Sequence, residues 1–285
     1  MKNLLKVLQL TVIMALVLVF TVACTSKEAD TNEVADSNEA VAELNDYEKI
    51  VERGYIVLGL DDTFAPMGFR DADNELVGFD VDLAKEVFAR LDIELRFQPI
   101  DWSMKETELN SGNIDMIWNG YTITDERMEK VLFSKPYIKN RQIIVTKYDS
   151  GIVTKADLEG KFVSAQSESS SVDAINKDTE FVALIKDNAP ITFDTNNEAF
   201  LDLEAGRVDA VVADEILAMY YLSQKGAENY NVLAEDLGKE EYGIGFRKTS
   251  KEVVEAVDGA LDSMREDGVM GEISKKWFAE DIINY

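Results

Sequence analysis

Short apolar, β-rich runs alternate with helix-forming segments along most of this sequence, and that alternation is the strongest constraint on its fold. Residues 56–60, 94–100 and 114–119 predict strands. Between them, the apolar residues of 79–91 recur at helical spacing, and a short helix is expected from about Ser103. Strand, helix and strand repeated in this way favour parallel pairing, with helices on both faces of a sheet.

A second set of the same kind follows Gly160. Its predicted strands and helices are the strands 162–166, 191–194 and 209–214, a helix after Ser171 and a helix over 197–204. The sequence therefore predicts an α/β fold with two lobes.

Two runs are expected to join the lobes, residues 142–147 going out and residues 242–246 coming back. The first lobe then comprises residues 47–141 and 247–285, and residues 142–246 form the hinge strands and the second lobe. Two crossings make a hinge, and ligands of such folds bind between the carboxyl ends of the two sheets.

The N-terminus predicts export. Two lysines precede the apolar stretch 7–23, which is marginal as a membrane span and reads better as a secretory signal over residues 1–24. Small residues lead into Cys24, the only cysteine, and resemble the lipobox of bacterial lipoproteins, in which that cysteine is acylated. An ordinary signal with an incidental cysteine is the alternative. Lipidation at Cys24 predicts an extracytoplasmic protein held on the bacterial cell membrane by its lipid alone.

Residues 25–46 predict a disordered acidic linker, with seven acids against one lysine and no apolar period. Of the net charge of −26, the signal carries +2 and this linker −6, which leaves −22 on residues 47–285. A body so acidic argues against nucleic acid as a partner, because phosphates would be repelled. We expect it to be a monomer.

The residue types that are missing argue against an enzyme. The chain has no histidine, which removes the usual general base and most zinc sites. Its one thiol lies at the predicted processing point, and no phosphate-cradling glycine loop is present. We expect no catalytic residues, no metal and no cofactor.

The most informative short motif is NGYTITDER, residues 119–127, at the end of a predicted strand. Thr124 is suited to cap a helix, which places Arg127 beside free backbone N–H groups at a positive helix end. With the Thr122 hydroxyl nearby, Arg127 can grip a carboxylate with two hydrogen bonds. A capped helix whose arginine pairs with its own acidic neighbours is the alternative, and spacing alone slightly favours it.

Seven motifs together resemble the polar amino-acid family of bacterial ABC-transporter solute-binding proteins. They cover the mature chain in order: LGLDDTFAPMGF (58–69), VGFDVDLAKEVF (77–88), NGYTITDER (119–127), FSKPY (133–137), AGRVDAVVADE (205–215), EYGIGFRK (241–248) and ISKKWF (273–278). The resemblance implies a two-lobe periplasmic-binding-protein fold. It also implies a protein that closes over one amino acid and delivers it to an ABC permease with its ATPase.

Site residues follow from the resemblance position by position. Arg127 and Thr122 resemble the residues that bind the ligand carboxylate. The Gly120 carbonyl and Asp214 resemble the groups that bind the ligand ammonium. Asp214 is also suited to cap the following helix.

Asp61, Phe64 and Trp102 match the side-chain pocket, although an aromatic such as Trp102 is by default a core residue. Gln166, Ser169 and Ser170 stand where the second lobe cradles the carboxylate, in a loop that is usually glycine-rich and here holds Glu168.

The pocket composition suggests which side chain fits. The predicted side-chain pocket holds the acidic Asp61 and the aromatic Trp102, and Glu168 is a possible third member. The sequence places no lysine or second arginine there. Such a pocket disfavours glutamate and aspartate, and it suits lysine or arginine first, then glutamine or cystine. Two alternatives use the same fold: an amino-acid-sensing subunit, and a dehydratase or lyase acting on an amino-acid-like acid.

Overall fold

The computed structural model describes residues 43–283. The predicted signal 1–24 with Cys24 and residues 25–42 of the predicted linker lie outside this range. The last residues of that linker are ordered, which corrects the prediction, because Asn45 caps a helix that begins at Asp46. Asn45 Oδ1 accepts from the N–H of Glu48 and Glu48 Oε2 accepts from the N–H of Asn45, both at 2.9 Å. This reciprocal capping box satisfies two helix-end donors.

The α-helices alternate with strands along residues 43–283. They are α1 (Asp46–Arg53), α2 (Phe79–Arg90), α3 (Lys105–Asn110), α4 (Asp125–Lys130), α5 (Ser170–Lys177), α6 (Thr179–Leu184), α7 (Asn196–Glu204), α8 (Glu215–Lys225), α9 (Lys251–Glu266) and α10 (Val269–Phe278). A 3₁₀ turn, Trp102–Met104, leads into α3. As its spacing predicted, α2 buries Phe79, Leu83 and Val87.

The strands of the described residues are mostly short. They are β1 (Tyr55–Leu60), β2 (Thr63–Phe64), β3 (Gly68–Arg70), β4 (Leu76–Val77), β5 (Glu94–Pro99), β6 (Met116–Ile117), β7 (Leu132–Phe133), β8 (Ile138–Lys147), β9 (Val163–Gln166), β10 (Ile191–Phe193), β11 (Ala210–Asp214), β12 (Tyr230–Val232), β13 (Lys239–Tyr242) and β14 (Gly245–Phe246). The predicted strand 114–119 keeps only two residues, β6.

Two larger sheets form the two lobes. The first has the order β5-β1-β6-β14-β7, with β1 parallel to β5 and β6 and with β14 antiparallel to β6 and β7. The second has the order β10-β9-β11-β8-β12, in which β9 is parallel to β10 and β11, and β8 is antiparallel to β11 and β12. The parallel pairing within each lobe follows the predicted strand–helix alternation. The strands that enter from the other lobe, β14 and β8, are antiparallel to their neighbours, and each lies one position in from an edge strand, β7 and β12 respectively.

The connection between the sheets lies slightly earlier in the chain than predicted. Residues 142–146 pair with β11 inside the second sheet, because Ile143, Ile144 and Val145 are buried there. The preceding residues, 138–141, pair instead with β13. The return crossing runs from β13 to β14 and lies within the predicted 242–246.

No helix among residues 43–283 is long and apolar enough to cross a bilayer. The same residues contain no group of three or more cysteine, aspartate or glutamate side chains placed to hold a metal ion.

Candidate functional site

The predicted site residues lie at the carboxyl ends of strands in both lobes, and several touch across the lobes. Asp61 follows β1 and Gln166 ends β9. Gln166 Nε2 donates to Asp61 Oδ2 at 2.8 Å. Thr122, after β6, lies with its hydroxyl oxygen 3.1 Å from that of Ser170, at the start of α5. The structure therefore brings these two pairs together from segments 105 and 48 residues apart.

Arg127 is a buried cation whose partners are carbonyl oxygens. Thr124 caps α4 by accepting from the Arg127 N–H at 3.2 Å, as predicted. The residue is 5% exposed, and its guanidinium donates to the carbonyl of Thr122 at 3.0 Å and to that of Glu168 at 3.4 Å. Its neighbour Glu126 pairs with Lys130 instead. Pairing of Arg127 with its own acidic neighbours, the alternative open from sequence, is not what the structure shows.

We call Thr122, Arg127 and Ser170 the arginine end of the site. A buried charge is costly without an opposite charge or full hydrogen bonding. Among the described residues, no carboxylate forms an ion pair with Arg127. The arginine end is therefore suited to an anionic group that reaches it from the cleft.

Asp214 and Glu240 form a cluster of opposite sign, which we call the acidic pair. Asn140 Nδ2 donates to Asp214 Oδ1 and to Glu240 Oε1, both at 2.6 Å. Gln142 Nε2 also donates to both, at 2.9 and 2.8 Å, and Tyr242 donates to Asp214 at 2.8 Å. Burial, together with the neighbouring Glu240, holds the pKa of Asp214 well above its usual range.

Sequence reasoning found Asp214 and missed Glu240. Strand β13 places Glu240 directly opposite Asn140 of β8. The helix-capping role that the sequence allowed for Asp214 is absent, since its side chain makes no cap hydrogen bond to α8.

Gly120 lies at a backbone turn that needs glycine. Its φ is +58°, and an added Cβ would lie 2.8 Å from the Phe64 ring and 3.1 Å from the Tyr242 ring. Its N–H donates to Asp80 Oδ2 at 2.7 Å, and the Tyr137 hydroxyl donates to the same oxygen at 3.0 Å. Burial raises the pKa of Asp80 to about 7. Asp80 thus fixes the loop that carries Gly120, a role that its position in the first turn of α2 did not indicate.

Asp61 is buried and oriented by its own loop. Thr63 donates to Asp61 Oδ1 from its hydroxyl at 2.6 Å and from its N–H at 2.9 Å. The other oxygen accepts from Gln166, which in turn accepts from Asn196 Nδ2 at 2.8 Å. Burial raises the pKa of Asp61 despite these bonds. Asp61 thus presents a carboxylate at the lobe interface with no cation bound to it among the described residues.

Lys105 is a site residue that the sequence did not place, which corrects the expectation of a pocket without lysine. It is 2% exposed, and its ammonium donates to the carbonyl of Trp102 at 3.2 Å and, across the cleft, to that of Glu168 at 2.9 Å. Trp102 is itself buried and packs edge-on against Tyr121. Burial, and secondly the nearby Arg127, lower the pKa of Lys105 to about 8.

The loop 166–170 of the second lobe has an unusual backbone at Glu168. Its φ is +53°, a left-handed conformation that costs a non-glycine residue roughly 1 kcal/mol. The residue is exposed, while its carbonyl points to Lys105 and Arg127. Ser169 caps α5 and donates to the Gln166 carbonyl at 2.7 Å. An acid this close to a ligand carboxylate would repel it unless it points to solvent, and the exposed side chain of Glu168 meets that condition.

Two α/β lobes closing over buried groups of opposite charge define a two-lobe ligand-binding protein of the periplasmic-binding-protein class. More specifically, the chain belongs to family 3 of the bacterial extracellular solute-binding proteins, whose family model matches residues 56–280.

Known relatives support this assignment. The L-cystine-binding protein TcyJ of Escherichia coli K12 is 32% identical over 236 residues, which cover 82% of this chain and 86% of TcyJ. An ABC uptake transporter substrate-binding protein from Streptococcus pneumoniae with bound histidine is similar with a TM-score of 0.83 and 41% identity, over 85% of this chain and 99% of that one. An ancestral arginine-binding protein bound to arginine has a TM-score of 0.74 and 39% identity, over 79% and 99%.

Proposed function

We propose that this chain binds an amino acid between its lobes and delivers it to an ABC permease and its ATPase. The carrying observation is a pair of clusters of opposite character, buried Arg127 on one side and buried Asp214 with the partly buried Glu240 on the other. A carboxylate and an ammonium on one small molecule match both. The names of the three relatives, which bind cystine, histidine and arginine, support the same ligand class.

Binding is proposed to proceed by lobe closure. The first lobe holds Arg127, Thr122 and Gly120, and the second lobe brings Gln166, Ser169 and Ser170 over the ligand. The paired segments 138–141 and 239–242, with the crossing to β14, are the proposed hinge, which begins earlier than the predicted 142–147. A closed form presents a surface that a permease can distinguish from the open form.

The side-chain pocket favours a cationic amino acid. Asp61 offers a buried carboxylate, and Phe64 and Trp102 offer aromatic surface on which a guanidinium or ammonium stem can pack. Arginine or lysine therefore remains the first proposal, with histidine of the same class and glutamine behind them.

Cystine is the second proposal, and Lys105 favours it. Cystine carries a second carboxylate as well as a second ammonium. Lys105 and Asp61 offer a cation and an anion in addition to the groups proposed to bind the first carboxylate and the first ammonium. The similarity to the cystine-binding TcyJ points the same way.

We further propose that the protein is exported, is tethered to the bacterial cell membrane through acylated Cys24, and binds without turnover. Family membership gives an extracellular solute-binding protein, and the tether rests on the sequence around Cys24. Mass spectrometry of the N-terminal peptide from bacterial membranes tests the anchor, with a diacylglyceryl mass on Cys24 expected.

Thermal unfolding of the purified chain, stripped of bound ligand by unfolding and refolding, tests the ligand class. We expect L-arginine or L-lysine at millimolar concentration to raise the midpoint, since a ligand that binds only the folded state stabilises it. D-arginine serves as the matched control. In Asp61→Asn, the shift with L-arginine is expected to fall more than the shift with L-glutamine, whereas Asp62→Asn is expected to leave their ratio unchanged.

A shift with cystine alone would replace the cationic proposal by the second one. No shift with any amino acid, or conversion of an added amino acid to product, would overturn the proposed function.

A further inference from the structure

The acidic pair brings two carboxyl groups together through shared hydrogen-bond donors. Every hydrogen-bond partner found for Asp214 Oδ1 and Glu240 Oε1 in the described residues is a neutral side chain. The two carboxylates share the amide donors of Asn140 and Gln142 at 2.6 to 2.9 Å, so they lie close together and repel each other when both are ionised. The pair is therefore suited to hold a proton or a positive ligand group.

A cavity between the lobes reaches Glu240 of this pair, while Asp214 lies behind it and does not line the cavity. This cavity, of about 300 Å³, is lined by Thr122, Gln142, Ser170 and Glu240 among others. The Thr122 hydroxyl, part of the arginine end, donates to Glu240 Oε1 at 2.9 Å. The Thr122 hydroxyl therefore links Glu240 of the acidic pair to the arginine end.

We propose, on the basis of the proposed function, that Glu240 is a second acidic residue of the ammonium end and that the acidic pair exchanges a proton for the ammonium of the bound amino acid. Without ligand, one proton is shared between the two carboxylates. When the ammonium binds, its charge replaces that proton, which leaves for the solvent. Burial and the neighbouring Glu240 raise the pKa of Asp214, which favours the protonated form of the pair.

Other charged groups around the pair are already engaged or lie further along the cleft. Arg141 of β8 pairs with Glu215 of α8 and with Asp236. Arg127 reaches the carbonyl of Thr122. Tyr242 donates to Asp214 and packs near Tyr137. The cavity beyond Glu240 is lined by charged residues of both signs, namely Asp125, Asp173, Lys177 and Lys239.

Ligand titration calorimetry in two buffers measures the proton directly. The full chain is titrated with L-arginine, and in parallel with L-cystine, in phosphate and in HEPES at the same pH. These buffers differ in ionisation enthalpy, so a released proton appears as a difference in heat. We expect net proton release near neutral pH, and an affinity that rises with pH by up to about tenfold per unit where one full proton is released.

Glu240→Gln keeps the shape and the hydrogen bond from Thr122 but removes one carboxylate. It is expected to abolish proton release and to flatten the dependence of Kd on pH. Glu241→Gln, the next residue on β13, points to the opposite face of the strand and is the matched control, expected to release protons like the parent. Thermal unfolding of each variant reports that it is folded.

Binding heat without proton release in the parent chain would overturn the exchange, and so would release that persists in Glu240→Gln. Absence of heat with both amino acids would instead contradict the proposed function. The two failures are therefore distinguishable.

Discussion

The arginine end and the acidic pair each hold a buried ionisable side chain, Arg127 and Asp214, that has no ion-pair partner among residues 43–283, yet the chain builds them differently. Thr122 and Arg127 lie five positions apart, on one loop and one short helix. Asp214 and Glu240 come from different strands and meet through Asn140 and Gln142 of a third. Thr122 and Arg127 of the first end therefore form a local motif, to which the second lobe adds Ser170, whereas the whole acidic pair depends on how distant strands pair.

The comparison also separates recognition from specificity. Both ends match groups that every amino acid carries, so neither distinguishes one amino acid from another. Under the proposed function, Asp61 and Trp102 face the remainder of the ligand, and Lys105 lies between this pocket and the arginine end, because it shares the Glu168 carbonyl with Arg127. Variants at the two ends should therefore weaken all amino acids alike, while variants in the pocket should change their order.

The largest expected effect is at the arginine end. In Arg127→Met, a carboxylate loses a buried, charge-assisted partner, and the affinity for every amino acid that binds should fall on the order of 100-fold or more. Titration calorimetry measures it. Arg127→Lys keeps the charge without the planar fork and should recover only part of the loss. Arg207→Met, at an exposed arginine, is the control. A loss confined to one amino acid would show that Arg127 contacts the side chain of the ligand.

The next effect concerns the second cation near that end, Lys105. Its pKa is lowered to about 8, against 10.5 in the unfolded chain, so the unfolded state binds more protons between these pH values. The free energy of unfolding should rise as the pH rises through this window, by on the order of 3 kcal/mol in total. Below the folded-state pKa this contribution is flat.

Chemical unfolding of the parent and of Lys105→Met at several pH values isolates that slope. The difference between the two curves should change over this window, because a methionine side chain does not titrate. Lys186→Met, at a lysine whose side chain is 48% exposed, is the matched control and should run parallel to the parent. Parallel curves for Lys105→Met would show that the ammonium is solvated.

A feature of the fold or of the site could be predicted from the sequence where neighbouring residues determine it. It could not be predicted where it depends on residues far apart in the chain. The two lobes and Thr124, Thr122 and Arg127 were predictable because alternation, capping and a strand end are local signals. Glu240 was not, since nothing near it indicates that β13 pairs with β8 and sets it opposite Asn140. The cleft-facing position of Lys105 depends on the 3₁₀ turn at Trp102–Met104, which changes the phase of the helix that follows.

The proposed hinge begins a few residues before the predicted one for a related reason. The apolar run 143–145 reads equally well as a crossing strand and as the core of a sheet. Only pairing with β11 assigns it to the second lobe. A single sequence carries the apolar pattern of such a strand but not the identity of its partner.

The smallest expected effect comes from a contact between the two lobes that lies outside the ligand site. The Tyr220 ring, on α8 of the second lobe, lies 5.8 Å from the Phe69 ring of the first lobe. An aromatic pair of this kind contributes about 0.5–1.5 kcal/mol, so Tyr220→Ala should weaken binding by roughly 2- to 10-fold. The loss should appear mainly as faster dissociation in stopped-flow measurements, because the contact stabilises the closed form after capture. Tyr148→Ala, at a tyrosine that is 67% exposed, is the control. L-Arginine and L-glutamine should lose affinity by the same factor, since the contact touches neither the ends nor the pocket, and a change in their ratio would place Tyr220 in specificity instead of closure.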